Sequence, residues 1–254
     1  MQVRPYRWRP SGSFAAHLWK AVTQQHHRAL APLIAQLVPG DAVVFDVGAH
    51  AGQFAKLFAR RAAQGRVYAF EPGSYARSIL RSAIWLNRLP NVAIVPVALG
   101  AETRLNVLTV PVKRSGASAF GLSHFGPAQA RWNTVTEELV AQTTVDEAVS
   151  VLALTRLDLI KADIEGWELQ MLRGARATLE RLRPRLMLEL SAGHLARAGD
   201  RSEDVFDFLA SYRYRAFSMA GGRLVRASVL SDGDYCFLPE EDLSPPLFDR
   251  PGGS

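Results

Sequence analysis

The sequence predicts an α/β protein built on a doubly wound, mostly parallel sheet, and three observations carry that prediction. Apolar strand candidates at 42–47, 66–71, 91–97, 157–163 and 185–190 alternate with helical patterns at 52–63, 74–88, 166–182 and 202–212. That βαβα order makes a parallel sheet with helices on both faces. The first strand, Val43-Val44-Phe45-Asp46-Val47, runs into Gly48 and Gly52, a glycine turn between strand and helix. The second, Val67-Tyr68-Ala69-Phe70, ends in Glu71-Pro72, a carboxylate at the sheet edge where open α/β folds hold a nucleoside.

The bulk numbers fit one domain. A chain of 254 residues with 48% hydrophobic composition buries one substantial core. The formal charge of +6 invites a nucleic-acid reading, but the basic residues lie scattered among acids, and only Lys20, Lys56, Lys113 and Lys161 are lysines. Arg4, Arg7 and Arg9, interleaved with Tyr6 and Trp8, form a local cluster, read as a flexible basic arm over 1–13. The single cysteine, Cys236, excludes an intramolecular disulfide and a Cys-rich metal site. No apolar run approaches the roughly 18 residues that span a bilayer, and the first 25 residues lack a signal-peptide core. A cytoplasmic protein without membrane contact is the expectation.

Taken in order, 14–40 is a helical segment with Phe14, Leu18, Val22, Leu30, Leu33, Ile34 and Leu37 at helical spacing. Pro32 divides it into two helices, and Pro39-Gly40-Asp41 ends it. The neighbours His26 and His27 point about 100° apart on a helix, so they do not share a metal and read as surface residues. The main domain spans 41–239. Within it, 104–149 breaks the rhythm with strand-like 105–110 and 138–144 flanking a Ser/Gly-rich stretch from Ser115 to Gly121, read as an antiparallel excursion with a mobile loop near the site. Thr144 and Glu147 have capping-box spacing for a short helix from Val145. Tyr214 to Met219 and Tyr235 to Leu238 read as a closing hairpin, and 240–254 as a flexible tail.

The glycine turn narrows the ligand. Gly-x-x-x-Gly, with His50 and Gln53 where the dinucleotide register needs glycine, lacks the Gly-x-Gly-x-x-Gly pattern on which a dinucleotide pyrophosphate rests. Asp46 ahead of the turn repels a pyrophosphate but receives a cationic amino group. S-adenosylmethionine is therefore favoured over NAD. Glu71 is placed to accept both ribose hydroxyls, each hydrogen bond to a charged acceptor contributing about 1.5–3 kcal/mol. Further on, Leu159-Ile160-Lys161-Ala162-Asp163 carries Asp163 to a strand's carboxyl end, and Leu186-Met187-Leu188 does the same for Glu189. Glu165 stands at a predicted helix start, where the dipole favours a carboxylate by about 0.3–1 kcal/mol, so capping and site roles are both open.

Together, Phe45-Asp46-Val47-Gly48-Ala49-His50-Ala51-Gly52, Phe70-Glu71-Pro72, Val97-Ala98-Leu99-Gly100, Thr144-Val145-Asp146, Leu159 to Glu168 and Asp234-Tyr235-Cys236-Phe237-Leu238-Pro239 resemble the FkbM-type methyltransferases over about residues 42–239. The resemblance implies a class I methyltransferase, Rossmann-like fold: a seven-stranded sheet whose last strand is antiparallel. It implies O-methylation of a hydroxyl on a small molecule or sugar, often in secondary metabolism or glycan tailoring. By motif position Asp46, Gly48, Ala49, Gly52, Glu71, Pro72, Ala98 and Asp163 are the expected cofactor residues, with Asp163 and Glu165 the family's acidic pair. Val97-Ala98 lacks the acid that often meets the adenine amino group, so apolar and backbone contacts are expected there.

Methyl transfer from a sulfonium requires positioning of the acceptor oxygen and removal of its proton. Asp163, Glu165 and Glu189 are the candidate catalytic groups, with His194 and Lys161 nearby in the pattern. A Mg²⁺ ion on Asp163 and Glu189 is the less favoured alternative, because no dense Asp/Glu/Asn cluster marks it. Two rivals stand beside a small-molecule enzyme: a nucleic-acid methyltransferase and a non-catalytic S-adenosylmethionine-binding module. The first lacks an Asn/Asp-Pro-Pro-aromatic motif, since the position reads Asp163-Ile164-Glu165-Gly166 and Ser244-Pro245-Pro246 lies in the tail. Phe120, Phe125, Trp132 and Trp167 are candidates for the acceptor wall.

Overall fold

Strands β2 (Val43–Val47), β3 (Arg66–Phe70) and β4 (Val92–Val95) pair in parallel, as expected from their β-branched and aromatic runs, and are joined by α3 (Gln53–Arg61) and α4 (Ser74–Leu86). Ahead of them lie β1 (Gln2–Pro5), α1 (Gly12–Thr23) and α2 (Ala31–Leu37). The computed structural model describes residues 2–5, 12–112, 120–125, 134–220, 223–227 and 231–243. Tyr6, Arg7, Trp8, Arg9, most of the Ser/Gly-rich loop, Trp132 and the tail from Ser244 lie outside the described residues.

The chain continues through β5 (Ala98–Leu99), β6 (Arg104–Pro111), β7 (His124–Phe125), β8 (Thr134–Thr143) and α5 (Val145–Val151). It returns to the sheet with β9 (Leu159–Ala162), α6 (Glu168–Arg173), α7 (Arg176–Arg181) and β10 (Arg185–Leu190). The last elements are α8 (Ala192–Leu195), α9 (Ser202–Ser211), β11 (Tyr214–Ala220), β12 (Arg223–Arg226) and β13 (Gly233–Pro239).

The main sheet has the order β12-β11-β13-β10-β9-β2-β3-β4. β9 lies parallel to both β2 and β10, with Val44 opposite Leu159 and Leu186 opposite Ile160. β13 slots in antiparallel between β10 and β11, which is the inverted last strand expected. The short β12 extends the edge by one strand beyond the seven expected.

Strand alternation sends Val44, Val67, Leu159 and Met187 to one face, against Leu33, Ile34, Leu37 and Phe58 of α2 and α3. Phe45, Phe70, Ile160 and Leu186 point the other way, against Leu169, Leu172, Leu179, Val205 and Leu209. Each such buried side chain contributes roughly 1.5–3 kcal/mol, which fixes the register of the central strands.

The excursion forms a second sheet, ordered β1-β8-β6-β7 with β5 also on β8, and β6 and β8 pair antiparallel as expected. Residues 2–5, expected in the flexible arm, pair in parallel with β8 as β1, satisfying backbone groups that an open edge strand leaves free. The first helical segment breaks at 24–27, ahead of Pro32, which sits in the opening turn of α2 where its missing N–H costs nothing. The predicted helix over 166–182 is two helices. Gly174 lies so close to the Gly100 carbonyl that a Cβ would come within 2.1 Å, and the Asp146 carboxylate caps the second piece through the amides of Ala177 and Thr178. Thr144 caps α5 as expected, its hydroxyl accepting from the Glu147 amide at 3.0 Å.

Candidate functional site

At the carboxyl ends of β2, β3, β9 and β10 the sheet opens into a cleft of about 290 Å³. The turn after β2 builds one wall. Gly48 has φ +72, and a Cβ there would stand 2.1 Å from the Asp163 carbonyl oxygen, so a side chain at 48 would force β2 and β9 apart. The amides of Gly48 and Ala49 donate to the Phe70 carbonyl and bring β3's end, with Glu71, beside the turn.

Glu71 is 7% exposed, and each oxygen accepts a backbone amide at 2.8 Å, from His50 and from Gly73. Burial pushes its pKa up to about 7 although both amides oppose the shift. A carboxylate offers about four acceptor sites, so two remain for a ligand's hydroxyls. Asp46 is fully buried, and neither of its oxygens finds a hydrogen-bond partner of good geometry. Burial raises it to about 6, with Lys161 pulling the other way.

Lys161 is the pivot of the floor. Its Nζ lies 3.9 Å from Asp46 and 3.5 Å from Asp163, over the Phe54 ring at 4.7 Å. Burial disfavours its charge, but Asp163, Asp46 and Glu189 outweigh that and hold its pKa above the ordinary value. Burial likewise works against an ionised Asp163, yet the Lys161 ammonium and a hydrogen bond with Glu189 keep it below the usual carboxylate range. Desolvation and the charges of Asp163 and Asp234 push Glu189 up to about 7. Of the two carboxyls, Glu189 therefore holds a proton more readily and Asp163 stays ionised around neutral pH.

The expected residues divide by place. Asp46, Gly48, Ala49, Glu71, Pro72, Asp163, Glu165 and Glu189 all line the cleft. Gly52 is not among the residues lining the cleft; it has φ +87, and the Leu80 side chain lies 2.8 Å from where a Cβ would be, so a bare position there serves the turn and its packing on α4. Ala98 is buried in the excursion's apolar cluster with Leu108, Val110 and Val140. Glu165 does not cap a helix, because α6 starts at Glu168 and Glu165 sits in a left-handed turn at φ 56. Its carboxylate is held by His194 Nδ1 at 3.0 Å and Arg197 Nη2 at 3.4 Å. Among the described residues no group of three or more His, Cys, Asp or Glu is arranged to hold a metal ion.

The cleft also contains residues for which the sequence carried no assigned role. His50 stacks on Phe120 at 4.2 Å with 9° between ring planes, and burial lowers its pKa to about 4, so it is neutral at pH 7. His27, read as a surface residue, stacks on Phe54 at 4.3 Å and lines the cleft. The signal for His50 was its place inside the glycine turn; His27 had none, since it reaches the site through the path of the loop between α1 and α2. Phe120 and Phe125 line the cleft from the excursion's side and also pack in its apolar cluster, with Trp167 on Phe125 at 5.3 Å.

A sheet of this order, with its cleft at the parallel strands' carboxyl ends and acids closing β2 and following β3, defines a class I methyltransferase of Rossmann-like fold. The Methyltransferase FkbM domain matches residues 46–216, and the chain belongs to that family. The AMB antimetabolite synthetase AmbE of Pseudomonas aeruginosa is 25% identical over 210 residues, which are 70% of this chain and 10% of that protein. The chain thus spans about a tenth of that relative's length. A crystal structure of methyltransferase FkbM from Methylobacillus flagellatus aligns with a TM-score of 0.50 at 16% identity, covering 89% of this chain and 59% of that one. No helix among the described residues is long and apolar enough to cross a membrane.

Proposed function

We propose that the protein is an S-adenosylmethionine-dependent O-methyltransferase acting on a hydroxyl of a small molecule or sugar. The observation that carries the cofactor reading is Asp46: a buried carboxylate with two unbonded oxygens, lining the same cleft as a Glu71 whose free acceptor sites suit a ribose. Lys161 at 3.9 Å offsets the Asp46 charge without a hydrogen bond, and a buried polar group lacking one costs about 1–3 kcal/mol, which a ligand's ammonium donor relieves. Gly48 and Ala49 leave the wall between these acids bare enough for a ligand to lie against the backbone. When bound, S-adenosylmethionine supplies an electrophilic methyl group on a sulfonium sulfur.

The remaining work falls to the chain's own side chains. Asp163, ionised around neutral pH, forms with Glu189 an acceptor for the proton that a hydroxyl loses as its oxygen is methylated. Lys161 keeps Asp163 ionised and fixes it beside Asp46. Glu165, held by His194 Nδ1 and Arg197 Nη2, orients the rim rather than taking a proton. Phe54, Phe120 and Phe125 exclude water from the faces of the bound molecules.

Incubation with methyl-labelled S-adenosylmethionine and a panel of hydroxylated metabolites and sugars tests the reading by mass shift. Label on an oxygen, lost in Asp163→Asn with the fold intact, is the expected result. Transfer to nitrogen, or to RNA alone, would overturn it.

A further inference from the structure

The geometry assigns Glu168 as the positioning residue for the Asp163–Glu165 turn, an inference that rests on the methyl-transfer reading of the cleft. Glu168 opens α6, where a carboxylate is ordinarily placed for the helix dipole and faces solvent. This one is 1% exposed and turns back toward the preceding loop. Its Oε1 accepts from the Ile164 amide at 3.0 Å and from the Gly166 amide at 3.4 Å. Asp204, in the first turn of α9, shows the ordinary arrangement: an exposed carboxylate accepting from the Arg201 amide at 2.8 Å.

The turn that Glu168 grips is held from two sides. Glu165 at φ 56 and Gly166 at φ 101 are both left-handed, a conformation that a non-glycine residue adopts only when its surroundings impose it. Gly166 is pressed against the His194 carbonyl, where a Cβ would come within 2.1 Å, and Arg197 holds the Glu165 carbonyl at 2.9 Å. These contacts fix the far side of the turn. Glu168 fixes the near side, through the amides of the residues immediately after Asp163 and Glu165. Its second oxygen is buried without a partner, an unfavourable arrangement retained beside the residues that line the cleft.

The grip depends on reach and on an accepting oxygen, not on charge. Glutamine preserves both, aspartate keeps the charge but is one methylene short, and alanine removes everything. The test uses S-adenosylmethionine carrying a ¹³C-methyl group as the probe, with calorimetric affinity and the bound methyl resonance read for wild type, Glu168→Gln, Glu168→Asp and Glu168→Ala. Glu168→Gln is expected to leave the resonance at the wild-type position. Glu168→Asp and Glu168→Ala are expected to displace and broaden it while affinity changes less than threefold, because Asp46 and Glu71 lie on other strands. If alanine prevents folding, the glutamine and aspartate pair decides. A wild-type resonance in Glu168→Asp, or a displaced one in Glu168→Gln, overturns the assignment while leaving the methyltransferase reading in place. Failure of the wild type to bind the probe overturns both, and shows itself before any variant is compared.

Discussion

Replacing Glu71 separates two jobs that this carboxylate performs. In the free protein it accepts the amides of His50 and Gly73, each at 2.8 Å, so Glu71→Ala leaves two buried donors unpaired. At about 1–3 kcal/mol for each orphaned group, partly relieved if water enters the space, the expected loss of stability is about 2–4 kcal/mol. For a chain of this size that corresponds to a fall of about 5–15 °C in Tm. The ligand's ribose loses its acceptor as well. One to two hydrogen bonds to a charged group, at about 1.5–3 kcal/mol each, weaken S-adenosylmethionine binding by at least about tenfold. Scanning calorimetry of the ligand-free protein reads the first effect and titration calorimetry reads the second. A Tm within 2 °C (~0.5–1 kcal/mol) of wild type would refute the amide argument; an affinity within about threefold (~0.6 kcal/mol) would refute the ribose assignment.

Acid-raised carboxyls give the ligand-free protein an unusual pH dependence. Asp46 near 6 and Glu71, Glu168 and Glu189 near 7 all sit above their unfolded values, so the folded state holds more protons and stability falls as pH rises from about 5 to 8. His50, lowered to about 4, and His27, also lowered by burial, oppose this below their unfolded value of 6.5, and Lys56, lowered to about 8, opposes it at the upper end. A Tm that rises over that interval would contradict the electrostatics. Gly48→Ala combines a left-handed φ with a Cβ 2.1 Å from the Asp163 carbonyl, and is expected to lower denaturant stability by about 3 kcal/mol or more. Gly52→Ala, also at a left-handed φ, meets side-chain atoms of Leu80 and Ile84 rather than backbone and is expected to cost less; the reverse order in urea titration would refute the packing account. Lys161→Met strands Asp46 and Asp163, with an expected loss of about 3–5 kcal/mol at pH 8 that shrinks at pH 5, where both acids can protonate. A loss independent of pH would place the role of Lys161 elsewhere.

What the sequence disclosed was what lies close along the chain. Val43 to Gly48 and Val67 to Glu71 each carry strand pattern, terminus and acid within a few residues, so their place in the cleft was legible. Asp163 and Glu189 were legible for the same reason. For Gly52 a bare position in the sequence does not show which neighbours crowd it, and in the fold Leu80, on the next helix, is one of them. Glu165 is ambiguous in the sequence because its partners, His194 and Arg197, lie about 30 residues later, in α8 and the helical turn after it. Ala98 was assigned by motif position alone, and the β5–β8 pairing draws it into the excursion's core. His50 and Glu168 stood in quoted motifs without a role, since burial and a side chain folded back on its own loop are not marked by periodicity.

Titration calorimetry of the purified protein with S-adenosylmethionine and, separately, with NAD tests the central claim most directly. Asp46 with its unbonded oxygens and the pyrophosphate-incompatible glycine turn predict saturable binding of S-adenosylmethionine and none of NAD. Saturable binding of NAD without S-adenosylmethionine binding would contradict the account.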